Sequence, residues 1–410
     1  MTATPTETAQ SPPVRHVLQN PDFRFVWIGF TLSLFGAEFS FVALPWLVLQ
    51  LTGSSVALGT ILMAESLPRA ALMLFGGAAS DRFSLRQILY VTTTVHMVVV
   101  TSAAALVHYH AAHLWHLYVL AFIFGVADAF GLPARQALIP SVVTEEELPG
   151  ANSLISGSAQ ISAIVGPAPA GVVLKIWGAA SAFLVDAVCF VVVLLALFRL
   201  KKLPEKQGNS LPGMWRPILD GLRYVAADAP LRSLMLLTAV LNLGVSGPLV
   251  VGLALLAKDR FSSASAFGTM LSVMAAGALL GSLVPILTKT HHHRGSLVLA
   301  FSGVLGMGMI AIGLLHRLMP VLAILAVLGF GNGLVAVHLT SWFQTRVERK
   351  FLGRVMSLSM FASLGLTPLS YPLAGALARV SLALMFLCAG FLLLVTTMAA
   401  ALHPEVRNID

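Results

Sequence analysis

Long apolar stretches separated by short polar ones dominate the chain. A helix needs about 20 apolar residues to cross a bilayer core of roughly 30 Å. Twelve stretches meet that length and predict transmembrane helices one to twelve, at residues 24–51, 55–80, 88–108, 117–138, 151–176, 179–199, 231–257, 265–288, 296–315, 319–342, 354–377 and 380–402. The pattern therefore predicts an all-α polytopic membrane protein.

The second half of the chain repeats the first. A shift of 204 residues places residues 124–129 on 328–333 and 170–171 on 374–375, and a shift of 209 places 59–60 on 268–269. Duplication of a six-helix unit explains these matches, so we expect two pseudo-symmetric six-helix bundles. The predicted domains are a tail (1–22), a first bundle (23–199), a polar linker with an amphipathic helix (200–230), a second bundle (231–402) and a tail (403–410).

Composition agrees with a membrane protein. Hydrophobic residues make up 57% of the chain, charged residues 10%, and the mean hydropathy is +0.88, whereas about a quarter of a soluble domain is charged. With both termini in the cytoplasm, 19 of the 25 Lys and Arg residues fall inside, five fall outside and Arg69 lies within the membrane. The net charge of +8 therefore reflects topology, and we expect no nucleic-acid partner.

A short polar turn between predicted helices two and three holds one acid and two arginines, Asp81, Arg82 and Arg86. Gly77 precedes Asp81 by four residues, and small residues let two helices approach closely. Asp81 can accept hydrogen bonds at the start of predicted helix eleven or pair with an arginine there. We predict a cytoplasmic gate formed by Gly77, Asp81, Arg82, Arg86, Arg135 and Arg354.

Ionisable side chains within a membrane are costly, so each is a functional candidate. Glu65 and Arg69 have i,i+4 spacing and can pair. Asp128 and Arg135 lie about 10 Å apart along one helix, so Asp128 must meet another helix or a water-filled cavity. The proton-coupling candidates are Asp128, Glu38, Glu65 and Arg69. For each acid, a structural hydrogen-bonding role remains an alternative, and we expect Asp186 to be structural.

Several motifs carry a resemblance to a known family. The turn Gly77-x-x-x-Asp81-Arg82-x-x-x-Arg86 and the Gly-Pro element at residues 166–171 resemble those of the major facilitator superfamily. Residues 132–137, 145–152 and 353–357 are similar to its branch of enterobactin-type siderophore exporters and macrolide efflux pumps. The resemblance, over about residues 22–402, implies alternating-access export of a small amphiphile, driven by proton entry without a cofactor. It also implies a bacterial inner membrane and places helices three, six, nine and twelve at the periphery.

Glycines and prolines of predicted helices five and eleven suggest bending or close packing where the halves meet. These candidates are Gly166, Pro167, Gly171, Pro368, Pro372 and Gly375. Gly and Pro are also generally frequent in membrane helices, which is the alternative. Asn242, in a distorted helix seven, and Asn332, which replaces Asp128 in the second half, are candidate polar residues of a cargo cavity.

Other functions have less support in the sequence. One loop holds His108, His110, His113 and His116, for which a solvated cluster is favoured over a metal or pH-sensing site. The chain carries no motif of an enzyme, and we expect a monomer whose partners are the bilayer and a small amphiphile. A lysophospholipid flippase or a small-solute importer fits the same scaffold. A non-transporting sensor or scaffold is disfavoured by the lack of a long polar segment.

Overall fold

The structure is a computed structural model that describes residues 17–200, 222–288, 294–348, 351, 355, 358–359, 361–363 and 365–402. Its principal helices are α1 Pro21–Thr52, α2 Ser55–Arg82, α3 Leu85–His108, α4 Leu114–Val142, α5 Leu148–Val165, α6 Pro167–Arg199, α7 Ala229–Arg260, α8 Ala264–Thr288, α9 Arg294–Leu314, α10 Leu318–Arg346, α11 Thr367–Val380 and α12 Leu382–Ala401. Within these described ranges, ten helical stretches are long and apolar enough to cross a membrane. The predicted all-α fold is confirmed.

Two predicted helices differ from the observed elements for local reasons. Predicted helix five is divided between α5 and the start of α6, since α5 ends at Val165 before Pro167, which lacks a backbone N–H. Gly178 then adopts φ +81° and separates the first part of α6 from residues 179–199. Predicted helix eleven is described in full only over α11, because several residues before it lie outside the described part.

The turn between α1 and α2 shows how the chain sets its helix ends. Gly53 ends α1 with φ +63° and donates its N–H to the Leu49 carbonyl, a conformation that glycine adopts without steric penalty. The Ser54 side chain then accepts a hydrogen bond from the N–H of Ala57 and caps α2. A single residue pair therefore reverses the chain at the membrane surface.

The internal repeat reappears as equivalent helix crossings. Gly125 of α4 packs directly on the backbone of Glu65 in α2, and Gly329 of α10 packs in the same way on Met274 in α8. A Cβ atom at either glycine would overlap a backbone carbonyl. These pairs are related by the same shifts of 204 and 209 residues that the sequence shows.

The two halves cross each other at equivalent glycines as well. Gly59 of α2 packs on Tyr371 of α11, and its equivalent Gly268 of α8 packs on Pro167 of α6. We call the membrane face that carries Thr52 and His108 the loop face, and the opposite one, with Pro21 and Arg82, the tail face. These crossings lie towards the loop face.

Hydrogen bonds strengthen the contact between the halves at the loop face. The Ser55 hydroxyl donates to the carbonyl of Gly375, at 2.8 Å. The Lys258 ammonium at the end of α7 donates to the carbonyl of Leu49 at the end of α1. The first and second halves are therefore fastened to each other at this face.

The polar turn after α2 is shorter than the sequence suggested. Helix α2 continues through Arg82, so only Phe83 and Ser84 separate it from α3. A Cβ atom on Gly77 would meet open space, whereas one on Gly76 would overlap the backbone of Ala129. Gly76 and not Gly77 therefore occupies the face of α2 that meets α4, and a role of Gly77 in the gate stays a prediction.

Candidate functional site

The first half encloses a cavity of about 340 Å³ in the interior of the bundle. It is lined by α1, α2, α3, α4 and α6, and by Tyr371 of α11. Its charged lining residues are Glu38, Glu65, Arg69 and Asp128. The structure thus brings all four predicted proton-coupling candidates to one site.

Arg69 lies between two of the acids. Its Nη1 atom is 3.3 Å from Asp128 Oδ2 on α4 and 3.8 Å from Glu65 Oε1, one turn away on α2. Gly125 makes the first contact possible, because it brings α4 onto the α2 backbone at Glu65. Asp128 therefore meets another helix and a cavity, as the spacing between Asp128 and Arg135 required.

His96 of α3 is a second basic partner of Asp128. Its Nε2 atom lies 3.5 Å from Asp128 Oδ1 and 3.3 Å from the carbonyl oxygen of Phe124. The side chain is 3% exposed, and its ring packs 4.2 Å from that of Phe124 and 5.4 Å from that of Phe190. The Asp128 carboxyl therefore lies between Arg69 and His96.

Sequence reasoning missed His96 and Tyr371. His96 lies in the middle of a predicted membrane helix, and the rule applied to the acids, that ionisable groups within a membrane are functional candidates, would have found it. The expectation that α3 and α6 are peripheral is wrong for this cavity, because Val99, Val100 and Phe183 line it. Tyr371 carries no such signal in the sequence.

Glu38 differs from the other acids in having no ion-pair partner among the described residues. It lies on α1 opposite the break between α5 and α6. A Cβ atom on Gly166 would lie 2.7 Å from the Cβ and Cγ atoms of Glu38. The Gly-Pro element therefore leaves the space that the Glu38 side chain occupies.

The remainder of the cavity wall is largely apolar. Aliphatic and aromatic side chains supply it, including those of Phe41, Leu44, Leu62, Leu117, Leu120 and Phe124. Ligand sites commonly combine such a wall with a few polar groups that fix orientation. The cavity can therefore accept a molecule with one polar or charged part and an apolar remainder.

A second cavity, of about 310 Å³, occupies the other half between α7, α9, α10 and the residues before α11. Both candidate polar residues, Asn242 and Asn332, line it, and its other polar lining residues carry hydroxyls: Thr238, Ser302, Thr340, Ser359 and Ser363. The lining that the structure describes contains no charged residue. Asn242 Nδ2 donates to the carbonyl of Thr238 one turn away, at 2.9 Å. The two halves therefore contain cavities of different polarity, which share the equivalent positions Asp128 and Asn332.

The predicted gate residues that the structure describes, Arg82, Arg86 and Arg135, have separate surroundings. Arg82 is exposed, and Arg86 donates from Nη2 to the carbonyl of Phe198 at the end of α6, at 2.9 Å. The Asp81 side chain and all of Arg354 lie outside the described part. The gate therefore stays a prediction.

Arg135 is not at the surface, where we expected it. It is half-buried, with its guanidinium carbon 5.3 Å from the centre of the Phe30 ring on α1. The reason is the length of α4, which continues to Val142 and so places Arg135 about two turns inside the helix end.

The candidate hinge residues lie where the halves cross or where helices begin. A Cβ atom on Gly171 would lie 2.8 Å from the carbonyl oxygen of Ala264, and its equivalent Gly375 packs on Ser55. Pro167 and Pro368 occupy the first turns of α6 and α11. Pro372 lies inside α11. A hinge role stays a prediction.

The histidine cluster is at the loop face. His116 Nδ1 accepts a hydrogen bond from the N–H of His113, at 3.1 Å, which caps the start of α4. Over the described residues, no group of three or more His, Cys, Asp or Glu side chains is placed to hold a metal ion. The described part of the cluster therefore supports a helix cap.

Comparison with known proteins adds sequence relatives over nearly the whole chain. The profile of a family described as transmembrane secretion effectors matches residues 13–410. The multidrug efflux pump Tap of Mycolicibacterium fortuitum is 27% identical over 387 residues, which cover 92% of this chain and 94% of that protein. Macrolide efflux protein A of Streptococcus pyogenes is 24% identical over 394 residues, covering 95% and 97%.

A solved structure shares the fold. The nucleoside transporter NupG superposes with a TM-score of 0.77 at 12% sequence identity, and the match covers 93% of this chain and 99% of that one. At this identity the likeness concerns the arrangement of helices alone. It agrees with the two equivalent bundles described above.

Proposed function

The chain belongs to the transmembrane secretion effector family of the major facilitator superfamily, and from that premise we propose that it exports small amphiphilic molecules in exchange for protons. The observation that carries the proposal is the first-half cavity, where Glu38, Glu65, Arg69 and Asp128 line a largely apolar wall. Relatives named for multidrug and macrolide efflux support export as the direction and drug-like amphiphiles as cargo.

Proton coupling follows from the imbalance of charge in this cavity. Three acids share one arginine, and Arg69 lies nearest to Asp128 and Glu65. Glu38 is left without an ion pair among the described residues, so a bound proton or a cationic part of the cargo is needed to neutralise it. Asp128 can change its proton occupancy when Arg69 moves between the two acids.

We assign the tail face to the cytoplasm, with both termini there and with residues 200–230 linking the bundles on that side. The distribution of Lys and Arg supports this assignment. In a bacterial cell the membrane is then the cytoplasmic one. Since contacts between the halves at the loop face favour closure there, we assign the described conformation to the inward-facing state of the transport cycle. The gate around Asp81 and Arg354 forms, on this proposal, when the transporter opens outwards.

A transport assay tests the proposal. The full chain is reconstituted in liposomes, a proton gradient is imposed, and the flux of a macrolide and of a lipophilic fluorescent dye is measured. Asp128→Asn and Glu38→Gln keep the size of each side chain but remove its titration. We expect both variants to lose gradient-driven flux to the level of empty liposomes.

Asp22→Asn serves as the matched control, because it makes the same chemical change in the first turn of α1, outside the cavity. It should transport like the unaltered protein. Flux that ignores both the gradient and the two cavity substitutions would refute proton antiport. Flux of the dye only between leaflets, without release into the lumen, would favour the flippase.

A further inference from the structure

Asp186 of α6 is a buried acid that the proposed transport mechanism does not use. Its side chain has no exposed surface. Oδ2 accepts a hydrogen bond from the Ser40 hydroxyl of α1, and Oδ1 has no hydrogen-bond partner among the described residues. An ionised carboxylate in such surroundings is strongly disfavoured unless a cation accompanies it.

No cation accompanies Asp186 in the described part of the chain, where the recorded ion pairs involve other acids. A proton is therefore the ligand that fits the carboxyl in this conformation. On the α1 side, the Asp186 carboxyl is surrounded by small residues. A Cβ atom on Gly36 would lie 2.9 Å from Asp186 Oδ1, so Gly36 lets α1 close over the acid and exclude water.

Ser40 connects this buried acid to the cavity. It lines the cavity wall on the same helix as Glu38, and Phe183, which lies almost one turn before Asp186 on α6, lines the same cavity. One hydroxyl group thus separates Asp186 from the space where Glu38, Glu65 and Asp128 meet. A hydroxyl can accept a proton on its oxygen while it donates its own hydrogen, which makes it a suitable relay.

We propose that Asp186 is a second proton-binding site, filled and emptied from the cavity through the Ser40 hydroxyl. On filling, the Ser40 oxygen accepts a proton from the cavity while its own hydrogen passes to Asp186 Oδ2. One proton leaves the cavity and one O–H bond forms on the carboxyl, so atoms and charge balance. This inference rests on the proposed antiport and adds a site deeper than the cavity acids.

Other titratable groups lie on the elements around Asp186 and have to be distinguished from it. Cys189 lies on α6 itself, and Glu38 lies on α1. His96 lies on α3 and contacts α6 through Phe190. The described parts of α5 and α8 carry no Asp, Glu, Lys, Arg or His side chain. Substitution of Asp186 alone therefore separates its contribution from theirs.

Infrared difference spectroscopy on the reconstituted full chain tests the proposal without any cargo. The carbonyl stretching band of protonated carboxyls is recorded before and after a rise in pH. Asp186→Asn should lose one component of this band, whereas Asp22→Asn, with the same chemical change, should keep it. Ser40→Ala should keep the component but slow its response to the pH change.

An unchanged band in Asp186→Asn would overturn the proposal, and so would a Ser40→Ala response as fast as that of the unaltered protein. Ser40→Ala retains the acid and keeps the test valid if Asp186→Asn fails to fold. The number of protons moved per cargo molecule should also fall in Asp186→Asn. If the unaltered protein shows no gradient-driven flux but the band component is lost in Asp186→Asn, antiport fails and the proton site stands.

Discussion

Asp128 has two basic neighbours on two different helices, Arg69 on α2 and His96 on α3. An acid in this position can keep a hydrogen-bonding partner when one of the helices moves away. His96 also has fixed surroundings, because Phe124 and Phe190 pack on its ring. We therefore interpret His96 as the residue that positions Asp128 while Arg69 changes partners.

The substitution His96→Gln tests this role. It retains a donor at a similar distance but removes the titrating ring. Loss of one such hydrogen bond typically removes about 1 kcal/mol of stabilising free energy. This free energy corresponds to about a fivefold change in an equilibrium, so gradient-driven flux should fall about fivefold. Its dependence on pH should also flatten, because glutamine keeps a hydrogen-bond donor but cannot take up a proton.

His108→Gln, at the exposed end of α3 at the loop face, is the control and should leave both flux and pH profile unchanged. An unaltered pH profile in His96→Gln, with normal flux, would show that His96 only fills space between α3, α4 and α6.

The sequence predicted part of this network and could not predict the rest. The pairing of Glu65 with Arg69 follows from their spacing along one helix, and the need of Asp128 for a distant partner follows from its separation from Arg135. Which helix supplies that partner depends on how α2, α3 and α4 pack. Tyr371 reaches the cavity only because the second half crosses the first at Gly59.

At the scale of the helices, glycine positions determine the site. Gly125 and Gly329 bring α4 onto α2 and α10 onto α8, and the first of these contacts sets the distance between Arg69 and Asp128. The sequence indicated small residues at the end of α2 but did not show which of them faces α4. The choice of Gly76 over Gly77 depends on the rotation of α2, which a hydrophobic pattern on a wholly apolar helix does not define.

Gly125→Ala should destabilise the protein, because the new Cβ atom would overlap the backbone of Glu65. Overpacking of this kind typically costs about 1–3 kcal/mol. Thermal unfolding in detergent should show a lower Tm, and the equivalent change Gly329→Ala should act in the same direction.

Gly77→Ala is the matched control for this pair, because its Cβ atom would meet open space. Alanine in a helix is favoured over glycine by about 1 kcal/mol, so Tm should stay the same or rise. Equal melting temperatures for Gly125→Ala and Gly77→Ala would contradict the close crossing of α2 and α4.

At the scale of the whole molecule, contacts at the loop face hold the first and second halves together. Ser55 and Lys258 each donate to a carbonyl in the opposite half. Breaking one of these contacts should favour opening of the loop face, because alternating access requires the halves to separate there. The sequence predicted two bundles but gave no information about which face is closed.

Lys258→Ala tests this expectation. Spin labels at Tyr109 and Arg317, which are exposed in loops of the two halves at this face, report its opening in a background where Cys189 and Cys388 are replaced by serine. The longer-distance population should grow in Lys258→Ala. Lys175→Ala, a change at this face within the first half, is the control, and its label-to-label distances should be distributed as in the unaltered protein. Identical distance distributions in Lys258→Ala and Lys175→Ala would refute the fastening role of Lys258.

The two cavities differ in polarity, so substitutions in one and in the other are expected to have different effects on transport. Groups proposed to bind protons line the first cavity, whereas amides, hydroxyls and apolar side chains line the described part of the second. If the second cavity holds cargo, as predicted for Asn242 and Asn332, substitutions around them should alter cargo preference without altering proton coupling. On that proposal, a lineage that meets a new toxic compound should broaden its range of exported molecules through changes on α7, α9 and α10, while the acids of the first cavity stay unchanged.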